Sequence, residues 1–252
     1  DIFVNGSRLV YPMERGAISS IQGPSSLMRS SACTGPSRRP STAATFAVQG
    51  DRTALRKQVS QYIAHQKRVA VATTGDPMLG APNAPIQIVE FSDFLCPSCQ
   101  RASKLNPVLL AAHRRETSFA FKHFPLDTTC NSTVNRMVHT GACQLAAAAE
   151  CAHEQGKFWA LHDRIFVEGA KYRPANLDQD VARLGLDAAA WHGCMDSGRG
   201  LEAVKRDIEE AGRLGVNSTP TYFVNGIRNT GLYTPVTFEA FLDALRHPDR
   251  AE

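Results

Sequence analysis

The chain has 252 residues, 43% of them hydrophobic, and its 28 basic and 24 acidic residues leave a net charge of only +4. That length supports one sizeable core with an added helical part, and such balanced charge gives no electrostatic case for nucleic acid or a membrane surface. No apolar run reaches the about 18 residues a bilayer span needs, and seven cysteines with a single Cys-x-x-Cys pair fit an oxidising compartment better than a zinc ribbon.

The chain opens at Asp1 without a charged segment leading into an apolar one, so the expectation is a removed signal or further residues upstream. Residues 1–50 are rich in Ser, Arg, Pro and Gly and poor in periodic apolar positions, which predicts a linker or disordered extension. Over 51–67, Leu55, Val59, Tyr62 and Ile63 recur at helical spacing, predicting an amphipathic helix and the one segment that suggests a dimerisation element. Arg68 to Ala72 reads as a short strand, and the stretch from Gly75 to Pro85 as a turn-rich connection. A domain over 68–248 follows from these boundaries.

Ile86 to Phe91 is a continuous β-favouring run, suited to a strand buried on both faces. It leads into Cys96-Pro97-Ser98-Cys99, and Pro97 suits the first turn of a helix carried on by Leu105, Val108, Leu109 and Ala112, with a kink expected at Pro107. Ser118 to Phe124 alternates as a second strand. An insertion over about 132–215 is helical in pattern, with segments at 142–152, 158–166, 177–184, 188–195 and 201–214. Thr221 to Val224 is a strand, Asn225-Gly226 a hairpin signal, Ile227 to Thr230 its return, and Phe238 to Leu245 a closing helix. The fold class is therefore α/β, with its two halves split by a helical insertion.

Chemistry concentrates where the first long strand meets its helix. A helix N-terminus stabilises negative charge, so Cys96 is expected to ionise near neutral pH and to act as the attacking thiolate, with Cys99 three residues on to resolve the mixed disulfide. A plain stabilising disulfide or half of a metal site is the competing reading of the same pair. Pro97 and Ser98 between the thiols are expected to tune how strongly the reduced form is favoured. Glu90, in an apolar strand six residues before Cys96, is either a buried acid or a solvent-facing one; burial would keep its proton on. Phe158, Trp159 and His162 read as core packing. The eight histidines form no metal-binding pattern, and neither a metal nor an organic cofactor is expected.

The runs Ile88 to Cys99 and Gly215 to Gly226 together resemble the DsbA-like branch of the thioredoxin superfamily, over roughly residues 68–248. The resemblance implies a thioredoxin fold with a helical insertion and protein thiol-disulfide exchange. It implies that Thr219 and a cis Pro220 face the dithiol and bind substrate, and that Glu90 moves a proton toward Cys99. Ser98 stands where such proteins often carry His or Tyr, implying a milder oxidant. The segment from Cys130 to Cys143, with His139, resembles a sub-branch often fused to membrane domains of the vitamin K epoxide reductase type. From that likeness come a structural Cys130–Cys143 bridge and, for Cys151 and Cys194, either a second bridge or two buried thiols; the competing reading is that all four are free, small core residues. Cys33, in the extension, is left unpaired or incidental. The implied partners are reduced or unfolded protein substrates in the periplasm or another extracytoplasmic space, and a membrane quinone-linked thiol oxidase, separate or encoded upstream of Asp1. The alternatives are a disulfide reductase or isomerase, a redox-inactive peptide-binding or chaperone-like module, and a glutathione-dependent enzyme acting on small molecules.

Overall fold

The computed structural model describes residues 53–248 except 82 and 232, together with the backbone at 3–4, 7–8, 33–34 and 52. In chain order the elements are β1 (Phe3–Val4), β2 (Ser7–Arg8), β3 (Cys33–Thr34), α1 (Arg52–Ala64), β4 (Met78–Gly80), β5 (Ile86–Ser92), α2 (Pro97–Ala112) and β6 (Thr117–His123). The insertion supplies α3 (Ala142–His153), α4 (Phe158–Glu168), α5 (Leu177–Arg183), α6 (Ala188–Ser197) and α7 (Arg199–Arg213). The chain closes through β7 (Ser218–Thr219), β8 (Thr221–Val224), β9 (Ile227–Thr230) and α8 (Pro235–Arg246).

The main sheet runs β4-β6-β5-β8-β9. β5 and β6 are parallel, as a strand-helix-strand unit requires, and β8 lies antiparallel on the other side of β5. β5 is central and buried on both faces, in accord with its unbroken apolar run. Ile86, Ile88 and Glu90 share one face by strand alternation, while Val89 and Phe91 share the other. The first face carries the larger core, with Phe119, Phe121, Tyr222 and Val224 of the sheet and residues of α1, α2, α4 and α8. The second packs Val89, Phe91, Ala120 and Phe223 against Ala211 of α7 and Val216.

Two expectations change. Residues 68–72 form no strand: Val69 N–H donates to the Gly226 carbonyl and Ala72 N–H to Glu210, so the segment is held by single bonds rather than a ladder. A strand lies instead within the turn-rich connection, where β4 pairs antiparallel with the outer edge of β6. The alternation predicted for β6 is kept, with Phe119 and Phe121 in the larger core and Ala120 and Phe124 in the smaller, but all seven residues of the strand are buried. Its charged Lys122 is held inside by Asp76, Asp207 and Glu210, at 2.7, 3.0 and 3.0 Å. α2 runs on through Pro107 to Ala112. Most of the extension over 1–50 lies outside the described residues; within it β1 pairs with β2, and β3 pairs with β7.

The apolar side of α1 is used within the chain. Leu55, Val59 and Ile63 are buried and α1 packs on α8, which removes the face that a dimer would have needed. In the insertion, the Ala-rich run of α3 allows α7 to approach closely: a Cβ on Gly200 would meet the Ala147 carbonyl and the Cys151 sulfur. Disulfides join Cys130 to Cys143 and Cys151 to Cys194, with Cα atoms 6.0 and 5.6 Å apart.

The Cys151–Cys194 bridge closes a loop of 43 residues between α3 and α6, where the entropy removed from the unfolded chain is large. Replacing both cysteines by Ala is expected to lower the unfolding free energy by about 2–4 kcal/mol, read from urea melts. A change below about 0.5 kcal/mol would mean that the packing of α3, α6 and α7 alone secures the insertion.

Candidate functional site

β5 ends at Ser92, and four residues later Cys96 stands at the N-cap of α2 in an extended conformation (φ −74°, ψ 122°), with Pro97 opening the helix. Proline fits there because the first helical N–H groups have no intrahelical acceptor. The intervening turn is organised by Asp93, whose side chain is buried. One oxygen accepts from Leu95 N–H at 2.7 Å; the other accepts from Leu126 N–H at 2.7 Å and lies 2.8 Å from His139 Nδ1. The Asp93 carbonyl also takes the Cys96 N–H at 3.1 Å.

Across the fold, Thr219-Pro220 is a cis peptide bond, and the Thr219 carbonyl oxygen lies 3.6 Å from Cys96 Sγ. Pairs 123 residues apart in sequence thus meet at one sulfur. Pro97 is exposed, while Ser98 is buried and its Oγ accepts from Arg101 at 2.9 Å.

The two cysteines of the motif are in different states. Cys96 is disulfide-bonded, whereas Cys99 is a free thiol buried behind it, so the expected Cys96–Cys99 bond is not the one formed here. Cys99 Sγ receives the Asp93 N–H at 3.5 Å. Burial, and then the charge of Glu90, push its thiol well above the ordinary range.

Glu90 is 2% exposed, which decides between the two readings of it in favour of the buried acid. It faces α2, where Asn106 Nδ2 donates to its Oε2 at 2.6 Å, and Asn106 Oδ1 accepts from Tyr222 O–H at 3.2 Å. Desolvation raises its pKa to about 7 against the pull of these hydrogen bonds, so near neutral pH it can both hold and release a proton.

The structure therefore gathers Cys96, Cys99, Glu90, Ser98, Thr219 and Pro220, with Pro97 at the rim. Cys130, Cys143, Cys151 and Cys194 lie apart in the insertion and its approach. The insertion reaches the site through Phe94, whose ring meets Phe121, Phe166 and His162 at 5.6, 5.1 and 5.9 Å. Phe158, Trp159 and His162 belong to that aromatic packing, as the core reading expected. Sequence reasoning missed Asp93, Asn106 and Tyr222, and it named His139 without giving it a place at this site. Asp93 carried a local signal, an acid inside an apolar run; the other three act through contacts that no local pattern announces. Among the described residues, no group of three or more His, Cys, Asp or Glu is arranged to hold a metal.

A family model described as Thioredoxin matches residues 72–244. The chain is 33% identical over 186 residues to the Na(+)/H(+) antiporter NhaA 3 of Salinispora tropica, covering 72% of this chain and 27% of that protein. It is 34% identical over 165 residues to the Na(+)/H(+) antiporter NhaA 1 of Salinispora arenicola, covering 66% and 24%. It thus spans only 24–27% of the length of these curated relatives. Among solved structures it is similar to a thioredoxin-like oxidoreductase from Silicibacter pomeroyi, with TM-score 0.58 and 24% identity over 68% of this chain and 92% of that one. It is also similar to oxidised BdbD from Bacillus subtilis, with TM-score 0.56 and 19% identity over 73% and 97%. A third likeness is α-DsbA1 from Wolbachia pipientis, with TM-score 0.57 and 19% identity over 72% and 94%. At these identities the structural likenesses establish the fold, the expected thioredoxin fold with its helical insertion. They do not show a fusion to a vitamin K epoxide reductase-type domain.

The raised Glu90 pKa makes stability depend on pH in a defined direction. Folding holds the proton more tightly than the unfolded chain does, so stability is full below about 4.5 and falls as pH rises toward about 7. In Glu90→Gln this loss disappears, so the variant is expected to gain on the parent between pH 5 and 8 in paired urea melts. The shift of Asp76 to about 6 acts in both proteins and cancels in the difference. A difference that does not change with pH would show that Glu90 does not titrate in this range.

Proposed function

The chain belongs to the thioredoxin family, and we propose that within it this domain is a protein thiol-disulfide oxidoreductase that forms disulfides in extracytoplasmic proteins. The observation that carries the proposal is the division of labour at the motif. Cys96 stands at a helix N-terminus in a disulfide beside the Thr219 carbonyl, and a free Cys99 is buried behind it. That combination supports the reading, because midway through an exchange cycle one cysteine is bonded to a partner while the other is a free thiol.

In the proposed cycle, a substrate thiolate attacks Cys96 of the Cys96–Cys99 disulfide, and Cys99 leaves with the electron pair and takes a proton. A second substrate thiolate then attacks the substrate sulfur of the mixed disulfide, which releases Cys96 as a thiolate and leaves the substrate oxidised. The helix N-terminus favours that thiolate as leaving group. Glu90 is the proton donor and acceptor for Cys99, a thiol too buried to exchange protons directly with water. Thr219 and Pro220 bind the extended substrate chain by strand addition, and Pro97 and Ser98 shape the approach to Cys96. No organic cofactor takes part. A quinone-linked thiol oxidase in the membrane accepts the two electrons and restores Cys96–Cys99.

Two disulfides in the insertion support an oxidising location, periplasmic or otherwise extracytoplasmic. No helix among the described residues is long and apolar enough to cross a membrane. Alignment with about a quarter of each named antiporter supports a domain carried by a larger membrane protein.

The direction of electron flow is set by the reduction potential of the Cys96–Cys99 pair, measured by equilibration against glutathione with acid quenching and thiol trapping. A disulfide donor is expected near about −120 to −180 mV, whereas about −250 mV would make the domain a reductase. In parallel, Cys96→Ser is expected to abolish oxidation of a dithiol reporter peptide; retained activity would remove Cys96 from the nucleophile's role.

A further inference from the structure

A sulfur that exchanges with protein chains has to be reached from outside, yet Cys96 is 0% exposed. It is also disulfide-bonded while Cys99 is free, and Cys130, Cys143, Cys151 and Cys194 are paired among themselves. The sheet places one further cysteine of the sequence beside it. β3 runs antiparallel along β7, with Cys33 opposite Thr219 and Thr34 opposite Ser218. Thr219 is the residue whose carbonyl lies 3.6 Å from Cys96 Sγ. Residues directly opposite in an antiparallel pair stand about 4.5–5.5 Å apart at Cα, so this register brings Cys33 to the rim of the site.

We propose that Cys33 is a third redox cysteine of this protein, and that the N-terminal arm docks on β7 as an internal substrate, held to Cys96 as a mixed disulfide. The inference rests on the reading of Cys96 as the exchanging nucleophile. β3 pairs along the backbone edge where an incoming chain would add as a strand. Because it is tethered, it competes at a high effective concentration with substrates in solution.

The exchange is self-contained. Cys99, once deprotonated, attacks Cys96 Sγ; the Cys96–Cys99 bond forms, the Cys33–Cys96 bond breaks, and Cys33 leaves as a thiolate that takes up a proton. The reverse attack by Cys33 on Cys96–Cys99 restores the cap, so the number of disulfides is unchanged and no oxidant is consumed. Burial holds the Cys99 proton in place, which slows uncapping and lets the capped state persist. While capped, Cys96 is withheld from small thiols and from over-oxidation.

The test uses the full chain, equilibrated in a glutathione redox buffer, quenched with acid, alkylated, and digested with trypsin without reduction. The cap is expected as a cross-link between the peptide 30–38, which holds Cys33, and the peptide 69–101, which holds Cys96 and Cys99. In Cys99→Ser, which cannot uncap, about half or more of the molecules are expected to carry it, given the advantage of a tethered thiol. In the fully reduced protein, Cys33→Ser is expected to raise the rate of Cys96 alkylation by about ten-fold as the edge is vacated. Peptide 30–38 recovered alkylated in both the parent chain and Cys99→Ser, with Cys96 of the latter carrying glutathione instead, would overturn the proposal. If Cys33→Ser still oxidises the reporter peptide in that case, the oxidoreductase reading stands without the cap. A cross-link accompanied by no turnover in Cys33→Ser would make the bond a fixed bridge and overturn both.

Discussion

The buried carboxylate of Asp93 fixes the turn between β5 and α2, and the geometry of the site follows from that turn. By taking the N–H groups of Leu95 and Leu126 it ties the end of β5 to the loop after β6, and His139 brings the approach to the insertion to the same point. A buried charge is tolerated because it is met by these donors. The turn they hold delivers Cys96 to the N-cap of α2, beside the unpaired N–H groups and the positive end of the helix dipole. The parallel pairing of β5 and β6 depends on the same closure, since Phe124 N–H returns to the Ser92 carbonyl just beyond the last ladder pair.

Behind this turn the two thiols experience opposite environments. Cys96 lies at the helix terminus and beside the Thr219 carbonyl; Cys99 lies one turn deeper, against Glu90 and away from water. Burial disfavours the thiolate at Cys99 and the carboxylate at Glu90 alike, and each makes the other's charge harder to form. The outcome is a thiol that keeps its proton beside an acid that titrates near neutral pH. Asn106 and Tyr222 hold Glu90 in that position from α2 and β8, so the acid's geometry depends on elements on either side of the sheet's centre.

The helical insertion contributes a wall rather than a reactive group. Its aromatic residues close over Phe94, and the Phe166 carbonyl receives Gln100 of α2 at 2.8 Å, so the helix that carries Cys99 leans on α4. The Cys151–Cys194 disulfide and the close contact at Gly200 keep α3, α6 and α7 together as one unit. The second polar network, Lys122 with Asp76, Asp207 and Glu210, pins α7 to the opposite face of the sheet from α2. The alternation of β6 thus separates two buried faces, and its Lys122 turns inward because carboxylates meet it there.

Much of this was legible in the sequence. The unbroken apolar run from Ile86 specified a central strand, Pro97 specified where the helix begins, Asn225-Gly226 specified the hairpin, and the apolar spacing of the insertion specified its helices. These are local matters, set by backbone preferences and periodicity within a few residues. The β4 strand stayed hidden because its partner is the edge of β6 some forty residues away, and its own composition reads as a turn. The burial of Glu90 beside Cys99, the contacts of Asp93 with His139 and Leu126, and the register of β3 against Thr219 were decided only by the tertiary structure. The sequence by itself determined that two thiols stand three residues apart at the start of a helix. Which of them is bonded, which keeps its proton and what lies against them depend on desolvation and on contacts between distant segments, and those exist only once the chain has folded.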